Sequence, residues 1–242
     1  DSEIREATVY ALNGWSPFKE PLLEGHWALQ NVFVRDGSGA DTWYSLEDRP
    51  GKLTMMVQDA LKSFSPNTRT YPAILRPLPE STDWALETDV NLVSVQTGDF
   101  MAGVTVEMVE NGSLVRYAMV MEDGKRLAAR RNNASLQSVS WGGGSAAVRI
   151  RRAGDELRFD YQEGAGQWTL LHSRPVAKEV SANQGGLFVS TDKVESVRVE
   201  FDYALLVDPL ATSPALTDLR ISEIMYHPAD RVGSEYIELH NR

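Results

Sequence analysis

Val148-Arg-Ile-Arg-Arg-Ala-Gly-Asp-Glu-Leu-Arg-Phe-Asp-Tyr-Gln162 alternates apolar and charged side chains on either side of Gly154-Asp155. Successive side chains of a strand point to opposite faces, and a glycine paired with aspartate closes a tight reversal. The stretch therefore predicts an antiparallel hairpin with Val148, Ile150, Leu157, Phe159 and Tyr161 turned inward. Arg149, Arg151, Arg158, Asp160 and Gln162 are expected on solvent-facing surfaces.

The same pattern extends outward in both directions. From Leu53 to Val207, short apolar runs are separated by turn signals roughly every ten residues, as in a sandwich or barrel. Strands are expected at 52–58, 73–78, 84–93, 101–109, 114–121, 127–131, 147–152, 157–162, 168–173, 187–190 and 197–206. Glu110-Asn-Gly112 and Glu122-Asp-Gly124 place residues that tolerate positive φ at two further hairpins, and Gly164-Ala-Gly166 reads as another turn. Before Gly51 the periodicity weakens, with edge strands expected at 8–12 and 30–34. Asp208-Pro-Leu-Ala-Thr-Ser-Pro-Ala-Leu-Thr-Asp218 carries two prolines among small polar residues and reads as a linker. The expected division is a domain over 1–208, a linker over 209–218 and a second, truncated unit over 219–242.

Length and charge narrow the possible functions. A sandwich in one piece fits within 242 residues, and a net charge of -10 with a pI near 4.9 disfavours nucleic acid as a partner. No window of 18 apolar residues is present, so no helical membrane span is expected, and Asp1-Ser-Glu-Ile-Arg-Glu does not read as a signal peptide. The absence of cysteine excludes disulfides, thiolate zinc sites and a cysteine nucleophile. His26, His172, His227 and His240 show no metal-ligand spacing, and no G-x-S-x-G elbow or complete dinucleotide fingerprint occurs.

Two resemblances add expectations. Leu219-Arg-Ile-Ser-Glu-Ile-Met-Tyr-His-Pro-Ala-Asp230 with Glu235-Tyr-Ile-Glu-Leu-His-Asn241 resembles the first hairpin of the lamin-tail domain, an immunoglobulin-like sandwich carried by secreted bacterial multidomain proteins. That likeness implies an extracellular or cell-surface bacterial protein with other modules on the same polypeptide. Trp43-Tyr-Ser-Leu-Glu-Asp-Arg-Pro-Gly-Lys-Leu53, Ala73-Ile-Leu-Arg76, Trp84-Ala-Leu-Glu-Thr-Asp-Val90, Ala102-Gly-Val104 and Val199-Glu-Phe-Asp-Tyr203 together resemble a concanavalin-A-like jelly roll. The nearest likeness is to the carboxy-terminal accessory domain of family 43 glycoside hydrolases and to laminin-G-like modules. The expected fold is thus an all-β jelly-roll sandwich of two antiparallel sheets, and the expected role is non-catalytic binding of a polysaccharide or glycan.

Within that frame, tryptophans in irregular sequence are the candidates for stacking on a sugar ring: Trp15, Trp43 and Trp141, the last beside Gly142-Gly-Gly144. Trp84, Trp168, Phe159, Tyr161 and Phe201 fall on the apolar side of their strands and are expected in the core. Glu107, Arg116, Arg149 and Arg151 take polar positions and are candidates to read hydroxyls. The jelly-roll likeness also implies a structural calcium held by Asp202 and by oxygens of Asp36-Gly-Ser-Gly-Ala-Asp41, with Asp36 and Asp41 as ligands. Glu87 and Asp89 share one strand face, as nucleophile and acid do in laminarinase-type hydrolases. Asn91 and Leu92 stand where that pattern wants a further carboxylate, so a hydrolase or lyase ranks behind a binding module and behind a ligand-free structural spacer.

Overall fold

A computed structural model describes residues 9–11, 27–35, 41–49, 51–58, 64–65, 68–96, 99–163, 166–192, 196–207, 219–225 and 236–241. Among them every regular element is a strand. They are β1 (Val9–Ala11), β2 (Ala28–Gln30), β3 (Phe33–Val34), β4 (Thr42–Ser45), β5 (Leu53–Gln58), β6 (Phe64–Ser65), β7 (Thr68–Arg69), β8 (Ala73–Pro77), β9 (Asp83–Val95), β10 (Asp99–Glu110) and β11 (Ser113–Glu122). There follow β12 (Arg126–Arg131), β13 (Ala134–Ser140), β14 (Ser145–Ala153), β15 (Glu156–Gln162), β16 (Thr169–Pro175), β17 (Ala182–Asp192), β18 (Ser196–Phe201), β19 (Tyr203–Val207), β20 (Leu219–Met225) and β21 (Tyr236–Asn241).

The strands build two large antiparallel sheets, the all-β sandwich expected from the alternation and the jelly roll expected from the second resemblance. One runs β16-β15-β14-β9-β18-β5-β4-β3, with β19 alongside β9 and β1 alongside β19. The other runs β13-β12-β11-β10-β17-β8-β2. Among the described strands only the β3–β4 pair is parallel. Between the sheets lies one continuous core in which Trp84, Leu86, Val104, Val106, Tyr117, Met119, Phe159, Val199 and Phe201 are sealed from solvent. Deletion of a core tryptophan or phenylalanine typically costs about 3–5 kcal/mol. The hairpin of the opening stretch forms in the expected register, Val148 opposite Tyr161 and Ile150 opposite Phe159, with Gly154 at φ 63°.

Turn chemistry accounts for the other reversals. Asn111 and Gly112 sit at φ 49° and 75°, and Asp123 and Gly124 at 55° and 63°. Asn132, at φ 54°, turns the chain from β12 into β13, a strand the apolar pattern does not announce because it is mostly serine and glutamine on an exposed edge. The stretch expected as one strand over 197–206 is broken at Asp202 into β18 and β19. Gly164 and Ala165 and the linker over 208–218 lie outside the described residues. β20 and β21 pair with each other as a separate two-stranded antiparallel sheet.

A second apolar cluster covers the outer face of the seven-stranded sheet. Phe64, Tyr71 and Phe188 meet there with ring centroids 4.7–5.6 Å apart, over Ala73, Leu75, Ala118, Val120 and Ala128. This cover corrects two solvent-exposure expectations. Glu107 and Arg116 occupy the outer face as their parity requires, yet they are 0% and 1% exposed, because the aromatic cluster of Phe64, Tyr71 and Phe188 lies on that face, with the Tyr71 ring 5.4 Å from the Arg116 guanidinium. Asp160, also expected at the surface, is buried beneath the two arginines that bond to it.

Candidate functional site

The outer face of the seven-stranded sheet is not covered along its whole length. Beyond Phe64 it opens into a polar cleft of about 340 Å3. Its position follows from the sheet register: Met101 is opposite Glu122 on one side and Ser190 on the other, Glu122 is opposite Arg126, and Asp99 is opposite Asp192. All of these side chains share the face that carries Phe64, and Asp123, Arg130 and Asn133 complete the walls. The Asp123-Gly124 turn fixes one end. Asp123 takes up left-handed backbone, its carboxylate Oδ1 accepts the Phe100 N–H at 2.8 Å, and its own N–H donates to the Phe100 carbonyl at 3.2 Å.

The electrostatics of the cleft are uneven. Glu122, almost wholly buried, serves both guanidinium groups: Arg126 Nη2 lies 3.1 Å from Oε2, and Arg130 Nε donates to Oε1. Arg130 Nη1 is further committed to the Asn133 carbonyl at 2.8 Å. Asp99 and Asp192 face each other across neighbouring strands, both exposed, an arrangement of like charges that lowers stability. Four carboxylates against two guanidinium groups leave a formal excess of two negative charges. The Asp123 carboxyl is held above its ordinary value of 3.8, chiefly by burial, with Asp99 and Glu122 adding to the effect and the Phe100 N–H opposing it.

The residues singled out by sequence do not assemble at this cleft. Glu107 and Arg116 lie on the same face but under the aromatic cover, where Arg116 Nε donates to Glu107 Oε1 at 2.7 Å and Gln184 Nε2 to Oε2 at 2.7 Å. Arg149 is on the opposite sheet. Its Nε and Nη2 bond to Asp160 Oδ2 at 3.1 and 2.9 Å, its Nη1 lies 3.6 Å from Glu87, and its guanidinium stacks 4.0 Å from the centre of Trp168. Trp168, expected in the core, is instead half-buried just before β16, where this stacking holds it. Arg151 Nε also donates to Asp160, at 2.9 Å.

The three candidate stacking tryptophans are likewise dispersed. Trp141 is half-buried; its ring meets Tyr161 edge-on at 5.9 Å and its Nε1–H bonds to the Ser145 carbonyl at 3.1 Å. Trp43, half-buried on β4, carries the Arg35 guanidinium 4.7 Å above its ring. Trp15 lies outside the described residues.

Asp36 also lies outside them, and Asp41 is exposed. Asp202 pairs with the Lys52 ammonium. Among the described residues no group of three or more acidic or imidazole side chains is positioned to hold a metal ion. Glu87 and Asp89 lie beside one another on β9, and burial raises both carboxyls above their ordinary values. Arg149 opposes the rise at Glu87; at Asp89 the Asp202 charge adds to it and Lys52 opposes it. Among the described residues no helix is long and apolar enough to cross a membrane.

The cleft was not signalled by any motif. Its one trace in sequence is the density of charge around the Asp123-Gly124 turn, where Glu122, Asp123, Lys125 and Arg126 crowd a reversal that needs only two special backbone conformations.

No protein-family model matches the chain, and no curated protein sequence matches it significantly. Solved structures share its fold. The GH43 protein BlXynB from Bacillus licheniformis superposes with a TM-score of 0.59 at 14% identity, over 82% of this chain and 39% of that one. The alginate lyase AlgAT5 from polysaccharide lyase family 7 gives 0.53 at 10% identity, over 75% and 94%. The CBM2 module of the Lactobacillus casei BL23 phage J-1 evolved Dit gives 0.50 at 12% identity, over 84% and 96%. The chain thus spans about two fifths of the BlXynB chain, and what these likenesses establish is the fold alone, a jelly-roll sandwich of two sheets.

Proposed function

We propose that the chain is a non-catalytic carbohydrate-binding module of a larger secreted bacterial protein, with its glycan seated in the cleft over β10, β11, β12 and β17. The observation that carries this reading is the cleft itself. It is a polar cavity at the low end of the roughly 300–1,000 Å3 range of small-ligand sites, on a sheet face otherwise sealed by aromatic rings. Carboxylates of Asp99 and Asp192 accept hydrogen bonds from sugar hydroxyls, while the Arg126 guanidinium and the Asn133 amide donate them. The fold likeness to a GH43 protein, a polysaccharide lyase and a carbohydrate-binding module supports the same class of ligand. In this reading residues 1–208 form the binding module, 209–218 the linker and 219–242 the start of a lamin-tail-like neighbour, so that the affinity of one site is reinforced by other modules of the same polypeptide.

The test is a polysaccharide pull-down and glycan array with the full chain, alongside assay of released reducing sugar. Specific retention that falls at least ten-fold in Arg126→Ala, without product, supports the module. Release of reducing ends would transfer the role to Glu87 and Asp89 as a hydrolase or lyase. A second reading, a structural or protein-interaction spacer without a small ligand, is favoured by one specific observation: Trp141 and Trp43 are engaged by Tyr161 and Arg35 rather than presented side by side. Silence of every glycan would establish that reading instead.

A further inference from the structure

The charge arrangement of the cleft allows its ligand class to be narrowed. We infer that the cleft selects uncharged pyranose chains and rejects polyuronates, an inference that rests on the glycan-binding reading above.

A sugar carboxylate is held best by a guanidinium fork free to donate two parallel N–H bonds. Arg130 is already committed to Glu122 and to the Asn133 carbonyl, and Arg126 has one Nη drawn 3.1 Å from Glu122, so neither offers an unshared fork, although the exposed remainder of Arg126 can still donate singly. Because Glu122 is nearly inaccessible and spans the two guanidinium groups, an incoming carboxylate would have to compete with an anion already in place. The remaining charge is unfavourable as well. Asp99 and Asp192 stand opposite each other at the exposed edge and Asp123 is close by, so the cleft carries an excess of two negative charges. Like charges brought together in a partly desolvated cleft repel, and the repulsion fades as salt screens it.

Hydroxyl-rich neutral rings meet none of these penalties. The exposed carboxylates of Asp99 and Asp192 become acceptors for sugar O–H groups, with no need for charge compensation. The stability forgone by placing Asp99 opposite Asp192 is then a device of discrimination, in which repulsion of the wrong ligand shapes specificity as much as attraction of the right one.

The experiment is isothermal titration of the full chain with hexasaccharides of matched length. One set is neutral (gluco-, manno-, xylo- and galacto-oligosaccharides), and the other comprises oligogalacturonate and oligomannuronate, each at low and high sodium chloride. The expected result is binding of at least one neutral chain, with the uronates at least ten-fold weaker at low salt and the gap narrowing at high salt. The exposed double substitution Asp99→Asn/Asp192→Asn, which leaves the core untouched, is expected to close the gap at least three-fold. Uronate binding equal to or tighter than neutral binding would overturn the selectivity while leaving the module standing. Failure of every oligosaccharide would overturn both.

Discussion

Glu107 and Arg116 provide the sharpest test of the fold's energetics. Their carboxylate and guanidinium are 2.7 Å apart, 0% and 1% exposed, with Gln184 bonding the second carboxylate oxygen. At an effective dielectric near 20 the direct attraction at about 3 Å is of order 5 kcal/mol, most of it offset by the desolvation of both ions. Removing one partner forfeits the attraction but not the desolvation of the other, so Glu107→Ala is expected to cost about 3–5 kcal/mol. For a chain of this size that corresponds to a fall in Tm of roughly 6–20 °C. Replacing both residues by methionine removes both buried charges and is expected to recover most of the loss. The assay is urea denaturation followed by tryptophan fluorescence, with calorimetry as a check on two-state behaviour. A single substitution costing less than about 1 kcal/mol, or a double one as harmful as the single, would show that the pair is hydrated and the aromatic cover over it open.

Other outcomes follow from the same geometry. Asp123, Glu87 and Asp89 bind protons more tightly in the fold than in the unfolded chain, so the stability they contribute is complete below their ordinary values of 3.8 and 4.5 and is lost as pH rises through the raised ones. Asp123→Asn, which also suits the left-handed backbone there, should raise Tm at pH 7 and flatten its rise towards acid; an unchanged slope refutes the account. A methyl at Gly186 would stand 1.9 Å from the Ile74 carbonyl oxygen, so Gly186→Ala is expected to lose at least about 2 kcal/mol, whereas Gly112→Ala meets no atom and loses only about 1–2 kcal/mol to its positive φ. Equal Tm values for the two variants would contradict this. With Lys52 beside Asp202, chelation by EDTA should leave Tm within about 1 °C, and a larger fall that added calcium reverses in the native chain but not in Asp202→Asn would establish Asp202 as a calcium ligand.

Strand alternation and turn residues made most of the sandwich legible. Asn111-Gly112, Asp123-Gly124 and Gly154-Asp155 each announced a hairpin, because few residues accept positive φ. β13 was not legible: it is an edge strand mostly of serine and glutamine, in which only Leu136 and Val139 touch the core, three residues apart rather than two, so no alternation marks it. Side-chain parity placed Glu107 and Arg116 on the correct face, but parity is local and cannot say what the chain lays over that face from elsewhere. Asp160 and Trp168 differ from expectation for a related reason: Asp160 is buried by Arg149 and Arg151 of the adjoining β14, and Trp168, before β16, is stacked on Arg149 from two strands away. The cleft combines side chains from β6, β10, β11, β12, β17 and two turns, and no spacing in the linear chain anticipates their meeting.

The β1–β19 pair has a mechanical consequence. Val9 is opposite Leu205 and Ala11 opposite Tyr203, so the chain enters and leaves this ladder from the same end. Tension applied through flanking segments would act across the ladder rather than along it, and its hydrogen bonds would break in succession from that end. Because β19 is also paired to β9, separation of β1 from β19 would leave the rest of that sheet hydrogen-bonded.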